Sequence, residues 1–220
     1  MRDIFIKEFK DVLEEAKAYE ERCLSGKRWY GNAVLIVVDT ALDSTGLKYF
    51  TVVAPRVERF YEEYVKEGVV TSLVDLSKLS PYEEKLRSIF NNDRAWGVAI
   101  SISKALGRIR EERGLKSDFD ALRCWAEEAE YKAWKSDEIG RIKGVGLITF
   151  QYLRMQAGID TSMPDKIIKR AVEDYFGIAS MEDISFISEM EKLSDKTGYS
   201  QILICWAIWL KQSDLGYRKV

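Results

Sequence analysis

The sequence predicts an all-α protein of about ten helices, because apolar residues recur at helical spacing along most of the chain. Glycines stand where several of these segments end, and serine, aspartate or proline stands where others begin, as expected of helix termini. The hydrophobic content of 46% and the aromatic content of 12% are those of a folded protein. A chain of 220 residues can bury its core as one domain or as two small lobes.

Four helical segments are predicted in the first 90 residues. The first of them carries apolar residues at helical spacing at six positions: Phe5, Phe9, Val12, Leu13, Ala16 and Tyr19. Residues 26–31 begin and end with glycine and interrupt the pattern. Residues 34–38 favour a strand by β-propensity, but the family resemblance described below implies a buried helix, which we predict. Helices follow at residues 51–65 and 80–90, the second with Pro81 in its first turn.

Six further long helices are predicted in the rest of the chain, at residues 93–113, 118–134, 147–155, 164–175, 181–194 and 200–211. Gly114 ends the first of these and Gly177 ends the fourth. A short additional helix is predicted just before Gly144, and either Ser136 or Asp137 is its expected N-cap. The sequence contains no internal repeat and no low-complexity segment.

A glycine turn and an aspartate carry the chemistry that the sequence suggests. The turn occupies residues 142–146 and contains Gly144 and Gly146. These glycines let backbone N–H groups approach a bulky anion closely, and the helix that follows points its positive end the same way. Asp165 stands 19 residues after Gly146, at the start of another predicted helix. The pairing suggests a phosphate contact combined with chemistry on a nucleotide.

The two segments resemble those of the helix-hairpin-helix DNA glycosylases, the superfamily of endonuclease III, MutY and the alkyladenine and oxoguanine glycosylases. The family hairpin typically reads leucine-proline-glycine-valine-glycine, and residues 142–146 read Ile-Lys-Gly-Val-Gly. The family's catalytic aspartate precedes an arginine by five positions. Asp165 and Arg170 keep that spacing, although Ile167 replaces the family's histidine. Asp160 lies in a similar Ile-Asp-Thr stretch but has no arginine five residues later.

The resemblance covers about residues 32–176 and implies two lobes with a base pocket in the cleft between them. Residues 32–154 would form an inner lobe of six helices that ends in the helix-hairpin-helix. Residues 1–31 would join 155–220 in an outer helical lobe. Asp165 would then lie at the seam, and Asp39 and Asp43 would lie near the cleft entrance. The implied partner is double-stranded DNA with a lesion or mismatch, bound by a monomer.

The resemblance also implies a reaction, which is hydrolysis of the N-glycosidic bond of a damaged or mismatched base. Members with lyase activity carry a lysine two residues after the second hairpin glycine, where this chain has Ile148. Without that amine a Schiff base cannot form, so the enzyme is predicted to be monofunctional. Asp165 would stabilise the oxocarbenium-like sugar and orient a water. The residues predicted to contact DNA are Lys143, Gly144, Val145, Gly146, Ile148, Thr149, Lys166, Lys169 and Arg170.

Composition excludes several other kinds of chemistry and location. The chain has no histidine, which excludes Ser-His-Asp and Cys-His catalysis. Cys23, Cys124 and Cys205 are far apart in sequence, so neither a metal site nor an iron–sulfur cluster is predicted. The resemblance leaves room only for a monovalent cation at the hairpin. No apolar run is long enough to span a membrane, so we expect a cytoplasmic protein, associated with the nucleoid if its source is prokaryotic.

The tryptophan and tyrosine residues are expected in two kinds of environment. Trp206 and Trp209 stand among apolar residues of a predicted helix and are expected to pack in the core. Trp29 and Tyr30 stand between two glycines and are better candidates for exposure at a binding surface.

Two alternative functions stay open. A net charge of −2 gives little support to DNA binding, although residues 139–170 carry six basic residues against two acidic ones. The first alternative is a non-catalytic helix-hairpin-helix protein that only binds DNA. The second is a helical protein-interaction domain in which the glycines and Asp165 are structural, with Ser162 as the N-cap before Asp165. Salt-dependent DNA binding and base release distinguish the three functions.

Overall fold

The computed structural model describes residues 1–179 and 181–212, and within these ranges the protein is helical and contains no β-strand. The all-α prediction is confirmed. The twelve α-helices of the described ranges are α1 (Arg2–Phe9), α2 (Leu13–Leu24), α3 (Ala33–Asp43), α4 (Ala54–Phe60), α5 (Leu73–Lys78), α6 (Glu84–Ile89), α7 (Asp93–Glu112), α8 (Asp118–Glu128), α9 (Leu147–Gln156), α10 (Lys166–Phe176), α11 (Asp183–Thr197) and α12 (Gln201–Gln212). Short 3-10 helices lie at Arg28–Gly31 and Tyr131–Ser136, and π-helical turns lie at Tyr49–Val53 and Tyr61–Val65.

Helix α3 occupies the segment for which β-propensity alone favoured a strand. Asn32 is its N-cap, and the Asn32 side chain accepts a hydrogen bond from the N–H of Leu35 at 3.2 Å. Every residue from Ala33 to Leu42 is buried, and the helix packs against α7 and α9. A segment that is buried on all sides must satisfy its backbone hydrogen bonds internally, and an α-helix does so. The Asn32 cap begins such a helix, so tertiary packing overrides the strand preference of the β-branched residues here.

Two predicted helices are shorter than expected. The helix expected at residues 80–90 begins only at Glu84, because Ser80 to Glu83 form a turn in which the N–H of Glu83 donates to the carbonyl of Ser80 at 3.1 Å. Pro81 occupies the second position of that turn, and its fixed φ suits this position as well as it suits the first turn of a helix. The helix expected at 118–134 ends at Glu128 and gives way to a 3-10 helix.

The end of α8 is held by side chains from later in the chain. Arg154 Nε donates to the carbonyl of Ala126 at 3.3 Å, in the last turn of α8. Trp125 Nε1 lies 3.2 Å from both carboxylate oxygens of Asp137. These contacts satisfy a terminal carbonyl of the helix and draw residues 131–137 back across its end, which explains why the helix stops there.

Residues 137–146 form turns in place of the short α-helix predicted before the hairpin. Asp137 acts as the predicted cap, since its Oδ1 accepts from the N–H of Ile139 at 2.8 Å and of Gly140 at 3.1 Å. A Cβ at position 140 would lie 1.8 Å from the carbonyl oxygen of Trp134, so only glycine fits there. This close approach keeps the segment too compact for a regular helix.

The buried hydrophobic residues form two clusters. The first core takes its members from residues 33–157, together with Ile187. The second core combines residues 5–23 with members from residues 152–208. Helix α9 contributes to both, because Phe150 and Leu153 belong to the first core whereas Tyr152 and Met155 belong to the second. Polar side chains of α9 that face the junction therefore have neighbours from both cores.

The described helices give no sign of a membrane span. None of those in residues 1–179 and 181–212 is both long enough and apolar enough to cross a bilayer. Cys23 and Cys205 are buried, and burial raises the pKa of the Cys23 thiol to about 11. A thiol with that pKa is almost entirely protonated at neutral pH and packs as a small apolar group.

Candidate functional site

Asp165 is the N-cap of α10, so it is held in place by the start of that helix. Its Oδ1 accepts the N–H of Ile168 at 2.7 Å, and its Oδ2 accepts the indole N–H of Trp209 at 2.8 Å. The alternative in which Ser162 caps this helix is wrong, because Ser162 is fully buried and lies outside the first turn. The Asp165 carboxylate is thus fixed by one backbone donor and one side-chain donor.

The ionisation of Asp165 reflects two opposed effects. Burial raises the pKa of Asp165 above its usual value, because a charged carboxylate is poorly solvated there. The N–H groups of Ile168 and Trp209 act in the opposite sense, because they stabilise the charged form. The result is a carboxyl group that ionises at a higher pH than a free aspartate but has donors in place for its anion.

A second carboxylate, that of Asp39, is completely buried at the junction of the two cores. Its Oδ2 accepts the indole N–H of Trp29 at 2.7 Å and the hydroxyl of Tyr152 at 3.2 Å. Tyr49 also donates to Oδ2 at 3.2 Å, and Arg28 forms an ion pair with it at 3.5 Å. Burial raises the pKa of Asp39 even though Arg28 and the three hydrogen bonds lower it.

The donors around Asp39 are distributed unevenly. All of them reach Oδ2, whereas Asp39 Oδ1 has no hydrogen-bond partner within the described residues. Arg28 Nε is likewise buried and unpartnered among them. A buried acceptor and a buried donor without partners are uncommon in native proteins, where nearly all such groups are satisfied by protein or water. One hydrogen-bond acceptor and one donor at the centre of the site are therefore without a partner among the described residues.

Aromatic side chains connect Asp39 with Asp165. The Tyr152 ring lies 6.0 Å from the Trp209 ring at 88°, and Trp209 lies 5.2 Å from Trp206 at 78°. Tyr152 binds Asp39, and Trp209 binds Asp165. One edge-to-face aromatic pair thus supports both carboxylates, and the prediction that Trp209 only packs is too narrow.

Asp43 lies in the same neighbourhood, at the last position of α3. It follows Asp39 by four residues and so projects from the same face of the helix, but it is partly exposed. Burial and the charges of Asp39 and Asp165 raise the pKa of Asp43 well above its usual value, whereas Arg28 lowers it. The pKa of Asp43 is thus raised by the charges of Asp39 and Asp165, the aspartates that the sequence placed at a cleft entrance and its seam.

Trp29 and Tyr30 adopt left-handed backbone conformations, with φ of 48° and 61°. Such values are costly for aromatic residues and persist only where neighbouring contacts enforce them. They turn the Trp29 indole toward Asp39 and leave Tyr30 86% exposed. The prediction of exposure is confirmed for Tyr30, whereas Trp29 is partly buried and donates a hydrogen bond to the Asp39 carboxylate.

The glycine hairpin leads directly into α9. Gly144 has φ of 104°, and a Cβ there would lie 2.7 Å from Val98 Cγ2, so this glycine is required by both conformation and space. Gly146 is the N-cap of α9, and no side chain caps the helix. A Cβ at Gly146 would meet no atom within 4 Å, so a side chain fits at this position without a clash.

The residues predicted to contact DNA differ in their accessibility. Lys143, Ile148, Lys166 and Arg170 are exposed. Val145 and Thr149 are buried, with 8% and 7% of their surfaces exposed. The Lys169 ammonium donates to the carbonyl of Met181 at 2.7 Å and forms an ion pair with Asp183, so its charge is already matched within the chain.

The basic excess of residues 139–170 is smaller at the surface than in the sequence. Arg154 is 8% exposed, and its NH1 donates to Gln151 Oε1 at 2.8 Å. Arg170 pairs loosely with Asp174 at 3.8 Å. A groove of about 280 Å³ on the outer side of α10 is lined by Lys166, Ile167, Arg170, Ala171, Asp174 and Gln212. Its two cations and one carboxylate make it only mildly basic.

The sequence analysis missed four residues of this site: Arg28, Tyr49, Tyr152 and Trp209. One signal was present, because Asp39 interrupts an otherwise apolar segment in the buried helix α3. A carboxylate in such a place needs donors. The identity of these donors could not be read, because they come from three separate segments of the chain, at residues 28–29, 49 and 152.

No family model, no curated protein and no solved structure matches this chain. Among the described residues, no group of three or more Cys, Asp or Glu side chains has the arrangement of a metal site. The functional interpretation therefore depends on the hairpin, on Asp165 and on the polar network at the junction of the cores.

Replacing Gly146 by arginine tests the hairpin as a phosphate-binding element. Because position 146 is open and its φ of −106° suits any residue, Gly146→Arg should fold normally. The side chain would cover the N–H groups at the start of α9, so duplex DNA affinity should fall about tenfold or more despite the added positive charge. Fluorescence anisotropy with duplex DNA over a range of salt concentrations measures this change.

Gly107→Arg is the matched control, because it adds the same charge on α7 at a site with only an ordinary contact, 3.8 Å from Val74 Cγ2. That variant should bind DNA like the wild type. If Gly146→Arg folds and binds as tightly as Gly107→Arg, the hairpin does not contact phosphate.

Proposed function

We propose that the protein is a monofunctional DNA glycosylase that hydrolyses the N-glycosidic bond of a damaged or mismatched base. The observation that carries the proposal is the environment of Asp165. Its carboxylate is held by Ile168 and Trp209, is partly buried, and shares an aromatic support with Asp39. A positioned carboxylate in a poorly solvated site is suited to stabilise a developing sugar cation.

The glycine hairpin supports the same function, because it is suited to bind the DNA backbone. The first N–H groups of α9 have no partner within the helix and no side-chain cap, and a phosphate oxygen is the ligand that such groups favour. Exposed Lys143 lies between Ile142 and Gly144 in the same turn. Binding there would hold the DNA backbone while a nucleotide leaves the stack, which chemistry on a base requires.

The proposed reaction has two parts. Asp165, as carboxylate, stabilises the oxocarbenium-like sugar as the bond to the base breaks. It then orients a water that attacks the sugar carbon, leaving a free base and an abasic site. Asp165 has acceptor capacity beyond its two hydrogen bonds, because each carboxylate oxygen offers two lone pairs.

Release of a free base is the direct test of this function. Duplexes that each contain one lesion or mismatch would be incubated with excess protein, and the released bases would be identified by mass spectrometry. Release from at least one duplex, lost in Asp165→Asn, is the expected result. DNA binding without release from any duplex would favour the non-catalytic alternative, and absence of binding would favour the interaction domain.

The lack of a nucleophilic lysine gives a second expected result. Ile148 is 37% exposed in the first turn of α9, at the position of the family's lysine. Borohydride should therefore trap no covalent adduct between the wild-type protein and substrate DNA. Ile148→Lys is the positive control, and it should become trapped if the hairpin presents that position to the sugar. Efficient trapping of the wild type at one lysine would show that the monofunctional assignment is wrong.

The non-catalytic alternative has one observation in its favour. Both oxygens of Asp165 already accept hydrogen bonds that α10 and Trp209 require for stability. A residue with that structural role need not act on DNA. Excision measurements on Asp165→Asn, described in the Discussion, separate the two roles.

A further inference from the structure

The Asp165 carboxylate receives its two hydrogen bonds from different helices. The N–H of Ile168, in the first turn of α10, binds Oδ1 at 2.7 Å, and the indole N–H of Trp209, in α12, binds Oδ2 at 2.8 Å. The first bond is the ordinary bond of a helix N-cap. The second comes from a side chain 44 residues later in the chain, and the cap is complete without it.

One donor alone would leave the orientation of this carboxylate loosely defined. Rotation of an aspartate carboxylate about its Cβ–Cγ bond is only weakly restricted. A carboxylate that is held at one oxygen can therefore still turn its other oxygen over a wide range. The Trp209 bond removes that freedom, because it fixes Oδ2 as well. Both oxygens of Asp165 thus have defined positions before a substrate is bound.

The Trp209 indole is itself held by two aromatic rings. The Tyr152 ring packs against it edge to face at 6.0 Å and 88°, and the Trp206 ring does so at 5.2 Å and 78°. The Tyr152 hydroxyl donates to Asp39 at 3.2 Å. The Arg28 guanidinium overlies Trp206 at 5.4 Å from the ring centroid. The buried ion pair of Arg28 and Asp39 therefore contacts both rings that support the indole.

No lysine or arginine of residues 1–179 and 181–212 forms an ion pair with Asp165. The titratable groups in the first turns of α10, on α12 or within reach of its charge are Lys166, Lys169, Arg170, Cys205, Lys211 and Asp43. The Lys169 ammonium pairs with Asp183. The Lys211 ammonium lies 3.8 Å from Glu8. The anion of Asp165 is therefore stabilised by N–H donors and not by a paired cation.

A neutral donor has an advantage at this position. Burial raises the pKa of Asp165, whereas the hydrogen bonds from Ile168 and Trp209 lower it. A lysine or arginine would also favour the anion, but its positive charge would oppose a developing sugar cation. An indole N–H stabilises the carboxylate without that opposition. Trp209 is the one described side chain that hydrogen-bonds to Asp165.

We propose that Trp209 is a positioning residue for the catalytic carboxylate: its indole N–H keeps Asp165 oriented toward the sugar and in its anionic form during cleavage of the glycosidic bond. This inference rests on the proposed glycosylase function. It adds a residue that acts through Asp165 and does not touch the reacting atoms.

The first test follows the ionisation of Asp165 without DNA. Protein with carbon-13 in the aspartate carboxyls would be titrated by NMR, with Asp165→Asn used to assign the signal. Trp209→Phe removes the N–H and keeps an aromatic ring. Its Asp165 signal should titrate at a higher pH than in the wild type, because a donor to the anion has been lost.

Trp206→Phe is the matched control for this substitution. Trp206 stands three residues earlier in α12, and its Nε1 has no hydrogen-bond partner among the described residues. Its side chain is 1% exposed, whereas that of Trp209 is partly exposed, so Trp206→Phe should lose more stability. It should nevertheless leave the Asp165 titration close to that of the wild type. Equal displacement of the titration in both variants would assign the effect to ring packing and overturn the proposal.

The indole N–H gives a second readout that needs no change at Trp209 itself. In protein with nitrogen-15 in its tryptophans, the Trp209 indole signal should move with pH in parallel with the ionisation of Asp165. Trp209→Phe assigns that signal. The movement should be absent from Asp165→Asn. An indole signal that moves in the same way in Asp165→Asn would show that Trp209 does not act on Asp165.

The third test follows the chemical step. Single-turnover excision by Trp209→Phe should be about tenfold to a hundredfold slower than by the wild type, as expected when a reacting group loses its fixed geometry. DNA affinity should not change. The deficit should be largest at low pH and should shrink as the pH rises, because more of the variant's Asp165 is then ionised. Trp206→Phe should excise at the wild-type rate at temperatures well below its melting temperature.

The outcomes separate this proposal from the proposed function. An active wild type with a fully active Trp209→Phe overturns the positioning role and leaves the function of Asp165 intact. A wild type that releases no base from any duplex overturns the glycosylase function and the role of Trp209 in cleavage. The two NMR measurements then still decide whether Trp209 controls the ionisation of Asp165. A slow Trp209→Phe with a raised Asp165 titration and wild-type DNA affinity supports the proposal.

Discussion

Asp165→Asn should lower the single-turnover rate of base excision by about a hundredfold to a thousandfold, the usual effect of removing one pre-organised electrostatic group, or roughly 2.7–4 kcal/mol. DNA affinity should persist or increase, because a negative charge near the phosphates is removed. The amide keeps an oxygen for the N–H of Ile168 but directs its NH₂ at the Trp209 indole, so a modest loss of thermal stability is expected.

Asp160→Asn is the matched control for this substitution. Asp160 also serves a helix start, since its Oδ1 accepts the N–H of Ile202 in α12 at 3.1 Å, and burial raises its pKa as well. Asp160→Asn should therefore alter stability but leave the rate of excision unchanged. If both variants excise at the wild-type rate, Asp165 is a helix cap with no catalytic role.

The same residue gives an expected dependence on pH. Asp165 must be ionised to stabilise a cation, and burial raises its pKa. Wild-type excision should therefore decline as the pH falls, starting at a higher pH than the ionisation of a free aspartate would give.

Arg28→Met should destabilise the protein by about 3–5 kcal/mol, which lowers the melting temperature by roughly 6–20 °C for a chain of this size. Arg28 is 6% exposed and pairs with the fully buried Asp39, so its loss leaves a carboxylate without its countercharge. The deficit should be largest at high pH. It should shrink as the pH falls, because Asp39 then takes up a proton more readily in the folded variant than in the unfolded chain.

The double variant Arg28→Met with Asp39→Asn removes both charges and is the control for this explanation. It should recover a large part of the lost stability, since a buried ion pair contributes little over a neutral pair. Its melting temperature should also depend less on pH than that of Arg28→Met. A double variant as unstable as Arg28→Met would show that Arg28 acts through packing on Tyr19 and Trp206, which its guanidinium overlies at 5.4 Å from each ring centroid.

Local signals predicted most of the fold. Gly114 and Gly177 lie just after α7 and α10 with φ of 62° and 67°, and the helices stop where these glycines were expected to end them. Apolar spacing likewise located the N-terminal helical region, although it is divided into α1 and α2. Such features depend on a few neighbouring residues and are therefore readable from sequence.

Contacts between distant segments were not predictable in the same way. The turn at Pro81 and the end of α8 depend on competing hydrogen bonds, including one from Arg154. The ion pair between Arg28 and Asp39 depends on the left-handed backbone of Trp29 and Tyr30, which follow Arg28 in the chain. Sequence patterns rarely indicate positive φ at tryptophan or tyrosine, so the ion pair could not be predicted.

For the candidate site, the aspartates were predicted but their surroundings were not. Asp165, Asp39 and Asp43 were singled out, and the Tyr152–Trp209 pair connects the first two. Trp209 was assigned to packing, because an indole N–H that binds a carboxylate looks the same in sequence as one in a core. The function and the DNA contacts stay predictions that the experiments above address.

The two cores have a consequence for biosynthesis. The first core is complete, apart from Ile187, once residue 157 has been made, whereas residues 5–23 pack in the second core with residues as late as 208. At ordinary translation rates, α1 and α2 emerge roughly 10–35 s before α12 exists to cover them. During that interval their apolar faces are exposed on the ribosome-bound chain. The N-terminal helices therefore gain their full set of apolar neighbours only when α12 docks.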